Sequence, residues 1–134
     1  MKIFKDEQEF KMSWITNKKR ELKTLYPNRT FSVFCIETNS TVKGFPDVLL
    51  DVDTMQTMYY EFKCSDKEGF IKFEKTQPPF YKRNSRMSIE VIAFNKIDNC
   101  TYSFPVKELF NKDSVYKIDL ITRRVKLPCQ NTSL

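Results

Sequence analysis

Two short apolar segments, PDVLLDV (Pro46–Val52) and MYYEFKC (Met58–Cys64), are separated in the chain only by Asp53–Thr57. Both are rich in the β-branched and aromatic residues that favour extended strands. A connection this short joins strands that run in opposite directions, because parallel strands need a crossover of about a dozen residues or more. The two segments are therefore predicted to form an antiparallel hairpin.

The register of this hairpin decides where its charged side chains lie. Side chains two positions apart on a strand point to the same face, so Glu61 and Lys63 project together and Phe62 points the other way. If Thr54 is the centre of the turn, residues whose numbers sum to 108 face each other. Asp47 then stands across from Glu61, whereas a slip of one residue would put the two carboxylates on opposite faces.

The rest of the sequence predicts a single α/β (α+β) domain over residues 1–134, built around a mixed sheet flanked by helices. A first helix is predicted from about residue 6 to residue 25, with Asp6 as its N-cap. Its apolar stripe, expected to face the core, is Phe10, Trp14, Leu22 and Leu25. Residues 64–75 are predicted to be irregular, and the tail from about residue 128 to be frayed. The other predicted elements are a buried strand at Phe31–Glu37, a helix capped by Thr76 and running to Arg83, strands at Ser88–Lys96 and in CTYSF, a short helix at Pro105–Phe110 and a last strand at Val115–Leu120.

The composition narrows the range of functions. Lys and Arg number 23 against 17 Asp and Glu, a formal charge of +6, which favours a polyanionic partner such as nucleic acid or an anionic membrane. No segment is apolar enough to cross a membrane, and the N-terminus is too charged for a signal peptide, so an intracellular protein acting in a cytoplasm, cellular or phage-infected, is expected. The chain has 0 His, which excludes a Ser-His-Asp triad, and it has no G-x-x-x-x-G-K-[ST] loop. Its 4 Cys are widely spaced with no C-x-x-C pair, and they are expected to be small apolar strand residues rather than a zinc site or a disulfide framework.

Carboxylates, lysine and a metal ion therefore have to supply any catalytic chemistry. Two facing carboxylates repel each other unless a cation lies between them. Mg²⁺ takes oxygen ligands and commonly uses one or two carboxylates with several waters. Asp47 and Glu61 are predicted to share such an ion, with the backbone carbonyl of Phe62 as a further ligand. Lys63 would orient the attacking water or hold the scissile phosphate, a set of parts that suits metal-assisted phosphodiester hydrolysis.

Pro46-Asp47 followed by Glu61-Phe62-Lys63 resembles the signature of the PD-(D/E)xK nuclease superfamily. The segments GFPDVLL and YYEFKCSD resemble its Holliday-junction-resolvase-like and VRR-NUC branches. KFEKTQPPFYKR resembles the segment where those branches carry a glutamine that opens a helix, which here is Gln77. The resemblance covers Gly44 to about Arg83. It implies a restriction-endonuclease-like αβββαβ core, the order of elements that the pattern of the chain predicts independently.

The resemblance also implies roles for individual residues. It makes Asp47, Glu61, Lys63 and Gln77 catalytic, and it implies an acid from the first helix at the metal. Glu7 is favoured there over Glu9 because it lies on the stripe of Phe10, although a first-turn acid also suits the helix dipole. The implied cofactor is Mg²⁺, with Mn²⁺ as a substitute, and the implied substrate is DNA, branched DNA in particular, cut by a homodimer. The basic residues expected to hold phosphates beside the cut are Lys72, Lys75, Lys82, Arg83 and Arg86.

The sequence also permits two other interpretations. Asp47 could simply begin a strand, Glu61 and Lys63 could be a solvated strand face, and Gln77 could be an ordinary helix-start residue. The chain would then be a non-catalytic nucleic-acid-binding or inhibitory protein on the same fold, or a small interaction protein whose charge binds an acidic partner. Metal-dependent cleavage separates these possibilities. The sequence leaves open whether the substrate is a four-way junction, a flap, a nick or plain duplex.

Overall fold

The computed structural model describes residues 4–36, 44–52, 57–109 and 117–119. Its strands form a five-stranded sheet and a separate two-stranded sheet, with helices against the larger one. The architecture is α+β with a mixed central sheet, which confirms the predicted fold class. The elements in chain order are α1 (Glu7–Leu25), β1 (Phe31–Cys35), β2 (Val48–Val52), β3 (Thr57–Cys64), β4 (Phe70–Lys72), α2 (Gln77–Arg83), β5 (Ile89–Asn95), β6 (Cys100–Pro105), α3 (Val106–Leu109) and β7 (Lys117–Asp119).

The strands of the large sheet are ordered β1-β2-β3-β5-β6. β2 and β3 form the predicted antiparallel hairpin, with Val48 opposite Tyr60 and Leu50 opposite Met58. Each of these pairs sums to 108, so the predicted register is confirmed. Asp47 comes one residue before β2 and therefore stands at the position that faces Glu61. The centre of the turn, residues 53–56, lies outside the described residues.

β3 occupies the middle of the sheet, because on its other side it pairs with β5. The two strands are parallel, with Tyr59 opposite Ile89 and Cys64 opposite Phe94. Parallel neighbours need a crossover, and the chain between them forms β4 and α2. As a result β3 has strands on both edges and helices near both faces. This explains why its charged residues are buried.

Helix α1 begins where the sequence predicts. The Asp6 side chain accepts a 2.8 Å hydrogen bond from the Glu9 backbone N–H and so caps the first turn. The helix packs on the sheet face that carries Tyr60 and Phe62: the ring of Trp14 lies 4.7 Å and 5.2 Å from theirs. This contact fixes α1 across the hairpin strand that carries the charged residues.

The predicted stripe of α1 needs one correction. Leu25 is 59% exposed, and Ile15, which was not predicted to face the core, is buried with Phe10 and Leu22. Leu25 is the last helical residue, whereas Ile15 follows Trp14, whose ring contacts the sheet. Tyr26 is the C-cap, so the helix stops where the sequence predicts.

Helix α2 lies on the other face of the sheet. Phe80 and Tyr81 pack there in a cluster with Ile89, Val91 and other residues of β5 and β6. Thr76 precedes the helix as expected, but its side chain makes no capping hydrogen bond, because its backbone is already helical. Prolines in the first turn, where backbone N–H groups have no helical partner, start the helix instead.

Two predicted elements differ from the structure. β1 was predicted as a buried strand, but it lies at the edge of the sheet, and Phe34 is 54% exposed. The segment predicted as irregular contains a strand, β4, which is defined by pairing with β7 far along the chain. Local sequence could reveal neither result, because both depend on which strands become neighbours.

The cysteines also differ from the prediction in part. Cys100 begins β6 and is disulfide-bonded, whereas Cys35 and Cys64 are free. Sequence spacing could not indicate this cross-link, since it depends on how the chain folds in space. The turn predicted at Asp98 and Asn99 is confirmed: Asn99 has a φ of 56°, and Asp98 accepts a hydrogen bond from the Cys100 backbone N–H.

The remaining boundaries follow the predicted ones within a few residues, except that the tail from residue 120 onward lies outside the described residues. Within the described ranges, no helix is both long enough and apolar enough to span a membrane.

Candidate functional site

β3 extends beyond its pairing with β2: Val48, the first residue of β2, lies opposite Tyr60, and β3 continues to Cys64. The backbone N–H of Phe62 points to the β2 side and donates a 3.1 Å hydrogen bond to Oδ2 of Asp47. By the hairpin register, position 62 faces Pro46, which has no N–H to give to the carbonyl of Phe62. Because the N–H and C=O of one strand residue point to the same neighbour, this carbonyl also faces the Asp47 side. The Pro-Asp pair thus ends the ladder and puts a carboxylate at its edge.

A second carboxylate takes the next place along this edge. The side chain of Glu7, which comes from the first turn of α1, lies close enough to the Cys64 backbone for that backbone to lower its pKa. The pKa of Glu7 is nevertheless raised, chiefly by loss of hydration; Lys63 opposes the rise and Asp47 adds to it. Glu7, Asp47 and Lys63 therefore interact electrostatically, although they come from three separate segments.

These residues line one cleft of about 420 Å³. One wall is formed by the residues before and within the hairpin, and the other by the segment that leads into α2. The lining residues are Glu7, Gly44, Phe45, Asp47, Glu61, Lys63, Glu74, Lys75, Thr76 and Gln77. The structure thus brings together five of the residues singled out from the sequence as catalytic or metal-binding: Glu7, Asp47, Glu61, Lys63 and Gln77.

The side-chain amide of Gln77 joins the two charged residues of β3. Its Nε2 donates a 2.7 Å hydrogen bond to Oε1 of Glu61, and its Oε1 accepts one of 3.0 Å from Nζ of Lys63. The same oxygen accepts a 2.8 Å hydrogen bond from the backbone N–H of Glu74. All three side chains are buried, with exposed fractions of 4% for Glu61, 9% for Lys63 and 5% for Gln77. The helix start therefore holds both β3 side chains in fixed positions.

The other carboxylate oxygen of Glu61, Oε2, is buried without a hydrogen-bond partner among the described residues. Burial raises the pKa of Glu61 well above the usual range, and the nearby Asp47 charge adds to the rise, against the opposing effects of Lys63 and Gln77. A buried carboxylate oxygen without a donor is costly. Nζ of Lys63 lies 3.9 Å from the other oxygen, Oε1, so Oε2 is the oxygen of Glu61 that remains for a bound cation.

The available oxygens suit a divalent cation of the Mg²⁺ type. They are the free oxygen of Glu61, the carboxylate of Asp47 and the carbonyl of Phe62. Within the part of the chain that the structure describes, no group of three Asp, Glu, Cys or His side chains is placed to hold a metal ion together. Mg²⁺ does not require such a group, because it commonly binds through one or two carboxylates and keeps several waters. Glu7 interacts with Asp47 at the cleft without completing a three-carboxylate cage.

Lys63 lies where its ammonium can act inside the cleft. Its stem is buried, and Nζ lies 5.2 Å from the centre of the Phe73 ring, a cation–π distance. Together with the hydrogen bond to Gln77, this contact restricts the ammonium to one region beside Glu61. A fixed positive charge in a partly dry cleft interacts strongly with anionic groups.

The predicted phosphate-binding residues do not form one cluster at the cleft. Lys75 is exposed and lines it. The other four are exposed but lie outside its lining: Lys72 on β4, Lys82 and Arg83 at the end of α2, and Arg86 just after it. Their proposed role as contacts for phosphates stays a prediction.

Sequence reasoning missed several residues of the cleft. Glu74 is one, and its position three residues before Gln77 was the only available signal. Tyr81 does not line the cleft, but it lies close enough to Glu61, Asp47 and Glu74 for their charges to raise its pKa further, after the larger effect of burial. Gly44 was noticed only as the first residue of a motif, yet it forms part of the cleft wall.

Comparison with protein-family models and with curated proteins gives no match. Among solved structures, the chain is similar to Hjc, a Holliday junction resolvase from the archaeal hyperthermophile Archaeoglobus fulgidus, at 18% identity and a TM-score of 0.48, over 78% of this chain and 87% of that one. It is also similar to a bacterial homing endonuclease, at 15% identity and a TM-score of 0.41, over 89% of this chain and 76% of that one.

Proposed function

We propose that this protein is a metal-dependent endonuclease that hydrolyses DNA phosphodiester bonds. The observation that carries this function is the buried, unpartnered Oε2 of Glu61 in a cleft shared with Asp47 and Lys63. Two close carboxylates beside a fixed ammonium are an arrangement that suits hydrolysis of a phosphate ester.

Asp47, Glu61 and the carbonyl of Phe62 would hold Mg²⁺, for which Mn²⁺ can substitute, and Glu7 would support the site from α1. When bound, the ion would neutralise phosphate charge and make water a better nucleophile. It would also offset the rise in pKa that each carboxylate causes in the other, because a bound cation favours their ionised forms.

The other site residues act through position and charge. Lys63 would place its ammonium against the scissile phosphate, where negative charge grows in the transition state. Gln77 would hold Lys63 and Glu61 in fixed orientations, since its amide forms hydrogen bonds with both. Lys75 would attract a flanking phosphate at the rim of the cleft.

The proposed substrate is branched DNA, cut by a homodimer. Support comes from the resemblance of Gly44–Arg83 to resolvase-like nucleases and from the net charge of +6. Symmetric cutting of two strands requires two active sites, which a homodimer supplies.

The test is cleavage of labelled four-way junction, flap, nicked and linear duplex DNA with Mg²⁺, with Mn²⁺ or with EDTA. We expect cutting that needs either metal and is fastest on the branched substrates. Glu61→Gln should not cut, whereas Glu68→Gln, which alters an exposed glutamate in a turn, should cut normally. Equal cutting in EDTA, or by Glu61→Gln, would exclude the proposed metal site.

A non-catalytic DNA-binding protein is the second candidate. The Lys63–Gln77–Glu61 hydrogen bonds favour it, because they already satisfy most of the polar atoms of these residues without a metal. Such a protein would shift DNA in EDTA and leave every substrate intact with Mg²⁺ or Mn²⁺. In calorimetric titrations with Mg²⁺ or Mn²⁺, such a protein and its Glu61→Gln variant would give the same signal.

A further inference from the structure

The two walls of the cleft touch at Gly44. Its φ of +91° lies in the region that favours glycine. A Cβ added there would lie 2.5 Å from the backbone oxygen of Thr76 and 2.7 Å from Cβ of Phe80. Neither atom can move away easily, because one belongs to the backbone and the other begins a buried side chain. The contact is therefore possible only without a side chain at position 44.

Both residues of this contact are close in the chain to a residue of the candidate site. Gly44 is followed by Phe45, whose ring packs 5.5 Å from the Phe80 ring and 5.8 Å from the Tyr59 ring. Next come buried Pro46 and then Asp47. On the other wall, Thr76 immediately precedes Gln77. The Gly44–Thr76 contact thus lies three residues from Asp47 along one wall and one residue from Gln77 along the other.

We infer that Gly44 is a positioning residue whose close approach to Thr76 sets the distance between the Asp47 wall and the Gln77 wall of the cleft. A side chain at position 44 would push the start of α2 away from the hairpin. The Gln77 amide would then lose its alignment with Glu61 and Lys63, and Asp47 would shift against Phe62. The catalytic consequence rests on the proposed function, whereas the geometric consequence does not.

The chain provides a matched control, because its 2 glycines both have positive φ. Gly69 has a φ of +88° and lies outside the cleft lining. Alanine at either position carries the same backbone strain. Asparagine tolerates positive φ better but still has a Cβ, so it separates the strain from the collision.

The experiment compares Gly44→Ala, Gly44→Asn, Gly69→Ala and Gly69→Asn. Thermal unfolding reports the strain common to both positions. Amide NMR reports on the site itself through two groups. One is the Phe62 backbone N–H, which donates a hydrogen bond to Asp47, and the other is the Gln77 side-chain NH₂, which donates one to Glu61. Steady-state cleavage at several DNA concentrations reports kcat and KM separately.

Both Gly44 variants should fold but shift the Phe62 and Gln77 signals, and they should lose at least about 100-fold in kcat with little change in KM. The Gly69 variants should keep both signals and their activity. Gly44→Asn with unchanged site signals would overturn the inference. So would failure of both Gly44 variants to fold, because the contact would then support the whole fold rather than the spacing of the site. If the wild-type protein cuts no DNA, the proposed function fails, and the NMR signals still decide the role of Gly44.

Discussion

Nε2 of Gln77 donates a 2.7 Å hydrogen bond to Oε1 of Glu61. The orientation of the amide is fixed by its surroundings, since its oxygen faces two donors, Nζ of Lys63 and the backbone N–H of Glu74. A flipped amide would put its NH₂ against both donors. Gln77 therefore transmits the position of the α2 start to both charged residues of β3.

Gln77→Ala should lower the free energy of unfolding by about 1.5–3 kcal/mol, because a buried hydrogen bond to a charged group is lost. It should also slow cleavage, since Lys63 and Glu61 lose their common partner. Chemical denaturation and single-turnover cleavage would measure the two effects. Gln8→Ala, at an exposed position of α1, should change neither. Normal cleavage by Gln77→Ala would show that the amide is only structural.

Glu61→Gln should abolish cleavage while leaving DNA affinity nearly unchanged. It should also raise the melting temperature of the metal-free protein at neutral pH, because the folded state disfavours the ionised form of Glu61. Cleavage assays, DNA-binding isotherms and thermal melts in EDTA would check these outcomes. A lower melting temperature in EDTA would mean that the carboxylate stabilises the fold, contrary to its raised pKa.

Lys63→Ala should lose about 100- to 1000-fold in single-turnover rate, the usual cost of removing one preorganised charge from a transition state. Its affinity for Mn²⁺ should be unchanged or slightly higher, since a neighbouring positive charge has gone. Lys63→Arg should restore little activity, because a planar guanidinium does not replace a compact ammonium.

Calorimetric titration with Mn²⁺ beside the cleavage assay separates the two effects of Lys63→Ala. Lys67→Ala, which removes an exposed lysine in a turn, is the control and should behave like the wild type. If Lys63→Ala lost metal while Asp47→Ala kept it, the assigned roles of these residues would have to be exchanged.

The raised pKa of Glu61 decides in which direction folding stability and Mn²⁺ affinity change with pH. Between the ordinary value of 4.5 and its raised value, the folded protein binds more protons than the unfolded chain. Stability of the metal-free protein should therefore fall as pH rises through this window. Mn²⁺ affinity should rise over the same window, because metal binding requires the ionised carboxylate.

Melting temperatures in EDTA and calorimetric Mn²⁺ titrations from about pH 5 to pH 8 would test both trends. Glu61→Gln should flatten the stability curve, since it removes the titrating group. An equally steep curve in this variant would assign the effect to another group, with Glu7, whose pKa is also raised, as the first to examine.

DNA affinity should fall steeply with salt, because phosphate contacts release counterions. The structure places Lys75 on the cleft and Lys82, Arg83 and Arg86 outside it. Each alanine substitution that removes a phosphate contact should lower the salt slope by about one. Fluorescence anisotropy at several salt concentrations would measure this, with Lys67→Ala as control. An unchanged slope in the quadruple variant would remove these residues from the binding surface.

The main parts of the fold could be predicted from local patterns. The Asp6 cap, the α1 helix, the hairpin and its register follow from residue types and from a period of two or of about 3.6. The failures have a common cause. β1 is exposed because it is an edge strand, β4 exists because it pairs with β7, and Leu25 is exposed at the last position of α1.

The candidate site divides in the same way. The sequence by itself determined that Glu61 and Lys63 share a strand face, because strand side chains alternate. It placed Asp47 across from Glu61 on the condition that Thr54 is the centre of the turn, and the observed register meets that condition. Only the tertiary structure decided that Gln77 bonds both β3 residues, that Glu7 comes close to the Cys64 backbone, and that Gly44 joins the two walls. These contacts join segments far apart in the chain, and their geometry is set by how α1 and α2 pack on opposite faces of β3. No pattern within one segment contains that information.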